Sequence, residues 1–304
     1  MPRIARRSLC SGYSLTLPVG RGMSGTSMTL VLTAACRDQV FLVADRRLTQ
    51  YPSGRPLDDN RNKVTVFDNR LAFGYSGLAD IAGQHTDLWL AEQLAGIDGP
   101  LLETLADRAT NAWNSLLRGL PASVRRHAFV MVGWGRNEAR QPVAVVATIS
   151  NALGDNGSWL AEAAPTFSVK RYHLKPRHRW GLFRPVGANV GAPELADLHR
   201  RLRPRLKRVT RRVPAILALG ETIRHVSTRD PSVGSSLVGV VLPVPSPCSD
   251  HKRFGVPLVG HASRLAGPMA FDLAAADGEF RWVTPNLVVC QGGVDSSPEP
   301  RTKM

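Results

Sequence analysis

Thr29 directly follows a methionine at the head of a strand-like run, MTLVLTAACRDQVFLVAD, and Asp45 closes that run sixteen residues later. Lys63 then opens the next apolar stretch, KVTVF. A hydroxyl, an ammonium and a carboxylate make a workable nucleophilic set if the threonine is the first residue of the chain. Its own α-amine, with a pKa near 7.7 to 8, can then take the hydroxyl proton without a histidine. The lysine stabilises developing charge, and the carboxylate holds the lysine in place. Each residue also has a plainer use. Threonine is common in strands, Asp45 and Arg47 can form a strand-end ion pair, and Lys63 can be a solvated strand start.

Two hairpins would bring the three together. Residues 30–36 (LVLTAAC) and 40–44 (VFLVA) are apolar and flank Arg37-Asp38-Gln39, which predicts a hairpin. Pairing sets the start of one strand beside the end of the other, so Thr29 falls next to Asp45. Residues 46–62 are polar and turn-rich, a surface loop. KVTVF and RLAFGYSG then predict a second hairpin around Asp68-Asn69, and its first strand can set Lys63 against both partners. Ser76 and Gly77 end the fourth strand. Ser76 reads either as a rim residue touching a substrate backbone or as a turn residue.

The rest of the chain must cover these strands. Apolar residues three and four apart predict helices over 79–97 and 100–120, with Trp89 and Trp113 on their buried stripes. Strands are expected over 127–135 and 142–150, and a further strand region within 158–175. A helix over 193–208, interrupted at Pro204, precedes a helix over 214–230 and a strand over 235–244. Beyond 243 the sequence is rich in Pro, Ser and Gly, with short strand candidates near 253–259 and 285–290 and a disordered tail over 292–304. No internal repeat is found. Hairpins, helices, strands and helices in this order predict an α+β fold, a four-layer αββα sandwich in which stacked sheets carry helices on both outer faces.

At this point segment 29–80 resembles the amino-terminal part of proteasome-type β subunits, in the N-terminal-nucleophile (Ntn) hydrolase superfamily. The family pattern is a catalytic threonine, an apolar strand ending in Asp-x-Arg, a loop, a lysine opening the next strand and a glycine-containing turn. This chain shows Thr29, Asp45 with Arg46 and Arg47, Lys63 in NKVTVFDNRLAFGYSG, and Gly77. The Thr-to-Asp interval resembles the family's, and the Asp-to-Lys loop is two residues longer. AILALGETIRHVSTRDPSVGSSLVGVV resembles the family's last long helix, its Arg-Asp turn and the following strand. There are departures. Val233 stands where the family has a serine, although Gly234 keeps its place. The family's mid-chain Gly-Ser-Gly has only a loose counterpart in VGANVG, with Ala188 at the serine. The resemblance implies Thr29, Asp45, Lys63 and Asp230 as catalytic residues, Asp230 supporting the terminal amine. It assigns Arg47, Ser76 and Gly77 to support or substrate contact. It further implies a peptide or other amide substrate, no cofactor, and a homo-oligomer, a ring being the family's form.

Composition sets the remaining bounds. With 304 residues, 43% hydrophobic and 21% charged, the chain suits a soluble globular protein. No run reaches the roughly 18 apolar residues of a membrane helix. Cys10, Cys36, Cys248 and Cys290 form no C-x-x-C pair, and His199, His225 and His251 lack ligand spacing, so neither a metal nor a disulfide framework is expected. A cytoplasmic location follows as the default. Residues 1–28 read as a dispensable or misassigned segment, with translation from Met28 and trimming of that methionine exposing Thr29. Cleavage after Gly25 would instead expose Thr26, nineteen residues before the aspartate. The domain expectation is therefore 1–28 as that segment, 29–242 as the Ntn-like domain, 243–291 as an extension, and 292–304 as the tail. Two other classes stay open. One is a non-catalytic structural subunit of the same fold. The other is a basic nucleic-acid-binding protein, since the net charge is +15 and RRLRPRLKRVTRR (200–212) is dense in arginine; that run lacks an aromatic stacker, which makes it the weaker reading.

Overall fold

The computed structural model describes residues 29–244, apart from 37, 51–52, 54, 69, 82, 96, 98–99, 138–140, 155–158, 175–179, 189 and 207–211, together with three short strands beyond. The expectations for 1–28, 253–259 and 292–304 lie outside the described residues. The chain is of mixed α+β type. Strands β1 (Leu30–Cys36) and β2 (Gln39–Asp45) form the expected hairpin, with Val31 opposite Ala44. Every residue of both strands is buried, as happens when a sheet is covered on both faces. Within the 46–62 loop a small hairpin appears, β3 (Leu48–Gln50) with β4 (Arg55–Asp58). The second predicted hairpin is β5 (Val64–Phe67) with β6 (Leu71–Ser76), turning at Asp68, whose φ is 48°.

A two-residue pair, β7 (Asp80–Ile81) and β8 (Gln84–His85), precedes α1 (Thr86–Leu94), so the first helix starts later than its periodicity suggests. Helix α2 (Leu101–Leu116) follows, then β9 (Ala128–Arg136), β10 (Pro142–Ser150) and β11 (Ser168–His173). The next strand, β12 (Trp180–Gly187), has no counterpart in the sequence reading. Pro185 inside it argues against a strand, but β12 lies at a sheet edge, where proline is tolerated. Helices α3 (Ala192–Leu206) and α4 (Arg212–Ser227) lead to β13 (Leu237–Pro243). Pro204 does not interrupt α3; it sits in the helix's last turn. The segment expected to be an extension supplies β14 (Met269–Leu273), β15 (Phe280–Trp282) and β16 (Asn286–Val288).

Two six-stranded sheets result, with orders β12-β1-β2-β13-β14-β15 and β11-β10-β9-β6-β5-β16. All pairings in them are antiparallel except β16 on β5. Three apolar clusters divide the strand residues by parity, as the two-residue repeat of a strand requires. Leu30, Leu32, Phe41 and Val43 pack with Leu198 and Leu202 of α3 and Ile216, Leu219 and Ile223 of α4. Their alternates Val31, Ala35, Leu42 and Ala44 meet Val64, Ala72, Val130 and Val132 of the second sheet. The alternates on that sheet, Phe73, Tyr75, Phe129 and Met131, pack with Leu90 of α1 and Leu105 of α2, joined by Trp89 and Trp113 as expected. No helix among the described residues is long and apolar enough to cross a membrane.

His127, just before β9, carries a testable charge constraint. Its ring is fully buried among Tyr75, Trp113 and Phe129, at centroid distances of 5.8, 4.8 and 4.5 Å. Neither ring nitrogen has a hydrogen-bond partner among the described residues. Burial pushes the imidazole pKa from 6.5 down to about 3. The unfolded chain therefore takes up a proton below 6.5 that the folded chain refuses until about 3. Stability contributed by the neutral ring is complete above that upper value and falls as the pH drops through the window, in total by roughly 5 kcal/mol. Urea unfolding at pH 7, 5 and 4 should show this loss, and His127→Leu should flatten that part of the profile.

Candidate active site

Strand pairing places the end of β2 beside the start of β1, and Asp45 fills that junction. Its carboxylate is fully buried and faces several donors. The N–H of Leu30 donates to Oδ2 at 2.7 Å, and the N–H groups of Arg47 and Gly234 donate to Oδ1 at 2.9 and 3.3 Å. Lys63 Nζ lies 3.3 Å from the same Oδ1 and donates to Thr29 Oγ1 at 2.6 Å. The backbone carbonyl of Arg47 accepts a third bond from this ammonium. All three donor directions of the lysine are thus used, on a side chain that is 1% exposed. Thr29, Asp45 and Lys63 come together as their spacing suggested.

The electrostatics of the pair pull two ways. Burial pushes the Asp45 carboxyl up from its ordinary range, while Lys63 and then the three backbone N–H groups pull it down. Burial pushes the Lys63 ammonium down, and Asp45 opposes this. Burial thus moves both partners toward their neutral forms, and four donors aimed at the two carboxylate oxygens oppose this at Asp45. A lysine in that condition, at hydrogen-bond distance from a hydroxyl, can share or return a proton.

Arg47 anchors the assembly from behind. Its guanidinium grips Asp59 with two bonds, Nε to Oδ1 at 2.6 Å and Nη2 to Oδ2 at 2.9 Å. The Arg47 bond, first of its causes, holds the Asp59 carboxyl below its usual range. Nη1 donates to the carbonyls of Pro231 and Val233 at 3.1 and 3.3 Å. One residue therefore joins the 46–62 loop, the turn after α4 and, through its own N–H and carbonyl, the Asp45–Lys63 pair. Asp59 was missed in the sequence, where it is one carboxylate of a polar loop. Asp230 stands in that same turn, but among the described residues its carboxylate bonds to Ser232, whose N–H and hydroxyl donate to Oδ1 at 2.9 and 2.6 Å. Ser232 is a second missed residue. It lies one position before Val233, so the hydroxyl absent from that position is present beside it.

The other side of Thr29 is closed by two segments, the end of β6 and the end of β12. Ser76 is fully buried, and its hydroxyl donates to the Thr29 carbonyl at 2.8 Å. Its side chain is buried against Thr29, neither on an exposed rim nor in a free turn. Gly77, next to it, has φ 120°, and a Cβ there would lie 2.5 Å from the Arg126 carbonyl, so glycine is required. From the end of β12 comes Gly187, opposite Leu30, and just after it Ala188, whose N–H donates to the Thr29 carbonyl at 3.3 Å. Gly187 and Ala188 of VGANVG are thus beside the threonine, although Ala188 brings no serine hydroxyl. No group of His, Cys, Asp and Glu side chains among the described residues could hold a metal ion.

Gly187 offers a direct test of this packing. Its φ is 112°, and a Cβ built there would stand 1.6 Å from the Thr29 carbonyl oxygen. Gly187→Ala should cost at least roughly 2 kcal/mol through combined strain and clash, read as a lowered thermal midpoint. An unchanged melt would mean that β12 does not abut Thr29. No protein-family model matches the chain, and no curated protein is significantly similar to it, so the functional reading rests on these distances and on the spacing of the residues.

Proposed function

We propose that this chain is a threonine-type N-terminal-nucleophile amidohydrolase or peptidase of the proteasome β-subunit kind, in a four-layer αββα sandwich, with Thr29 as nucleophile once it is the first residue. The observation that carries the reading is the 2.6 Å contact from Lys63 Nζ to Thr29 Oγ1, with Asp45 behind the lysine. A buried lysine is costly and seldom adds net stability over an apolar residue. One aimed at a hydroxyl at the head of a strand has a chemical use.

In this mechanism the Thr29 hydroxyl oxygen attacks the carbonyl carbon of the substrate amide, and its proton passes to the Thr29 α-amine. Lys63 stabilises the charge that develops around the attacking oxygen. The C–N bond then breaks, the amine nitrogen leaving with the proton from the α-amine, and an ester on Oγ1 remains. Water, deprotonated by the same amine, attacks the ester carbon; the acid departs and Oγ1 regains a proton. Asp45 keeps Lys63 in position, Arg47 fixes Asp45 and Lys63 through its backbone, and Ser76 fixes the Thr29 carbonyl. A homo-oligomer that shields the site, in the cytoplasm and without a cofactor, fits such an enzyme.

A non-catalytic subunit of the same fold is the second reading. It is favoured by Asp230, which is engaged by Ser232, and by Val233 in place of a hydroxyl near the terminal amine. Nucleic-acid binding is the weakest. Within the basic run, Arg200 pairs with Asp197 at a short distance and Arg201 pairs with Asp197 and Glu221, each at 2.7 Å, so part of its charge is already met.

The decisive experiment is expression from Met28 followed by intact mass. Thr29 should be the first residue, and a peptide epoxyketone, which needs both the hydroxyl and the free amine, should add one equivalent. Thr29→Ala should abolish labelling and turnover with the fold retained. Lys63→Ala should slow the reaction by roughly 10² or more, as loss of a stabilising donor does, and Asp45→Ala should act in the same direction by releasing the lysine. A correctly trimmed protein that never labels would sink the catalytic reading in favour of the structural subunit.

A further inference from the structure

Asp59 is bound into the network around Thr29, yet the mechanism above gives it no part. Its two carboxylate oxygens take the Arg47 fork, Nε to Oδ1 at 2.6 Å and Nη2 to Oδ2 at 2.9 Å. The neighbouring Asp58 is spent locally, its Oδ1 accepting from the Asn60 N–H at 2.8 Å. From Asp59 the path to the threonine is a run of direct contacts. The Arg47 N–H donates to Asp45 Oδ1 at 2.9 Å, the Arg47 carbonyl accepts from Lys63 Nζ, and Lys63 Nζ donates to Thr29 Oγ1 at 2.6 Å. The chain just after Asp59 is tied to the same place. Arg46 Nη2 donates to the Asn60 carbonyl at 2.6 Å, and the Arg61 N–H donates to the Arg46 carbonyl at 3.1 Å.

Exposure separates the two carboxylates. The side chains of Asp45 and Lys63 are 0 and 1% exposed, those of Arg47 and Asp59 18 and 44%. An ion pair open to water in this way adds little to stability by itself. Its charge nevertheless reaches inward. Burial pushes the Lys63 ammonium down; Asp45 opposes this first and Asp59 opposes it too, while the Arg61 charge adds to the push. In return, after the Arg47 bond, the Lys63 charge helps to hold the Asp59 carboxyl below its usual range. Asp59 also offsets the Arg47 guanidinium, a permanent cation on the residue whose carbonyl holds Lys63. Lys63 can steady charge on the attacking oxygen only as an ammonium, so both effects serve the form of the lysine that the reaction uses.

We propose that Asp59 is a positioning residue for the Thr29 reaction: by its two-bonded grip on Arg47 and by its negative charge it keeps Lys63 an ammonium aimed at the Thr29 hydroxyl. This rests on the Thr29 reading. A staple that only closes the base of the 46–62 loop is the competing account, and the two differ in what they do to the pH profile. Loss of a charge that favours the ammonium moves the alkaline fall in rate to lower pH. A loosened staple lowers the rate at every pH and leaves that fall where it was.

Protein beginning at Thr29 would be treated with one peptide epoxyketone between about pH 6 and pH 10, and intact mass against time gives a labelling rate at each pH. Asp59→Asn keeps an acceptor for Arg47 and loses the charge. In that variant the rate at about pH 9.5, relative to that at about pH 7.5, should drop about threefold or more. Asp59→Glu keeps the charge and should leave the alkaline fall close to its place. Nitrogen-15 NMR of Lys63 Nζ reads the same titration without any reaction, and in Asp59→Asn the ammonium should lose its proton at lower pH. An Asp59→Asn profile lowered evenly at all pH would overturn the proposal, as would an Asp59→Glu variant shifted as far as Asp59→Asn or a Lys63 titration that does not move. A trimmed protein that never labels fails the catalytic reading and a positioning role with it, even where the Lys63 titration moves; labelling with an unmoved titration fails this proposal alone.

Discussion

The Asp45 carboxylate is the constraint on which the rest of the structure depends. A fully buried charge is tolerable only if it is met by donors. Those donors come from β1 through Leu30, from the chain just after β2 through Arg47, from the approach to β13 through Gly234, and from the head of β5 through Lys63. Four segments spread over about two hundred residues are therefore held at one point. Removing the carboxylate would leave their N–H groups and an ammonium buried without an acceptor, which costs more than the pair itself contributes. Position and charge at the threonine are consequences of satisfying this one anion.

The surrounding packing explains why the arrangement is rigid. β1 and β2 bury alternate residues in two different apolar clusters, so neither strand can slip by one residue without exchanging the contents of both. Thr29 is fixed in turn by its carbonyl, which accepts from Ser76 of β6 and from Ala188 after β12. The hydroxyl is thereby presented by the framework rather than by a loop, and sites carried on such elements hold geometry more tightly.

What could be read from the sequence follows the range of the contacts. Thr29, Asp45 and Lys63 lie on consecutive hairpins, and local turn and strand signals were enough to bring them together. The two helical pairs and their Trp89 and Trp113 stripes were visible for the same reason. β12 was hidden by Pro185, and its meeting with Thr29 spans more than one hundred and fifty residues, a separation over which no periodicity speaks. Asp59 was indistinguishable from its neighbours Asp58 and Asn60 until Arg47 was seen to grip it. Ser232 lies two positions after Asp230 rather than three, and only the folded turn shows its hydroxyl on that carboxylate. The strands beyond 243 were underestimated, since short edge strands in a Pro-, Ser- and Gly-rich region carry little pattern.

The parallel seat of β16 beside β5 has a consequence for the order of assembly. β5 leads away from Lys63, and its outer neighbour in the sheet comes from residues 286–288, more than two hundred residues later. During synthesis that edge of the sheet stays open until nearly the whole described chain has left the ribosome. Closing so long a loop is entropically slow, and an uncovered edge strand invites pairing with other chains meanwhile. The polypeptide thus acquires the residues of its site early and the strand that flanks them late. A ribosome-bound chain shorter than this would carry Thr29, Asp45 and Lys63 on a sheet still open at its side.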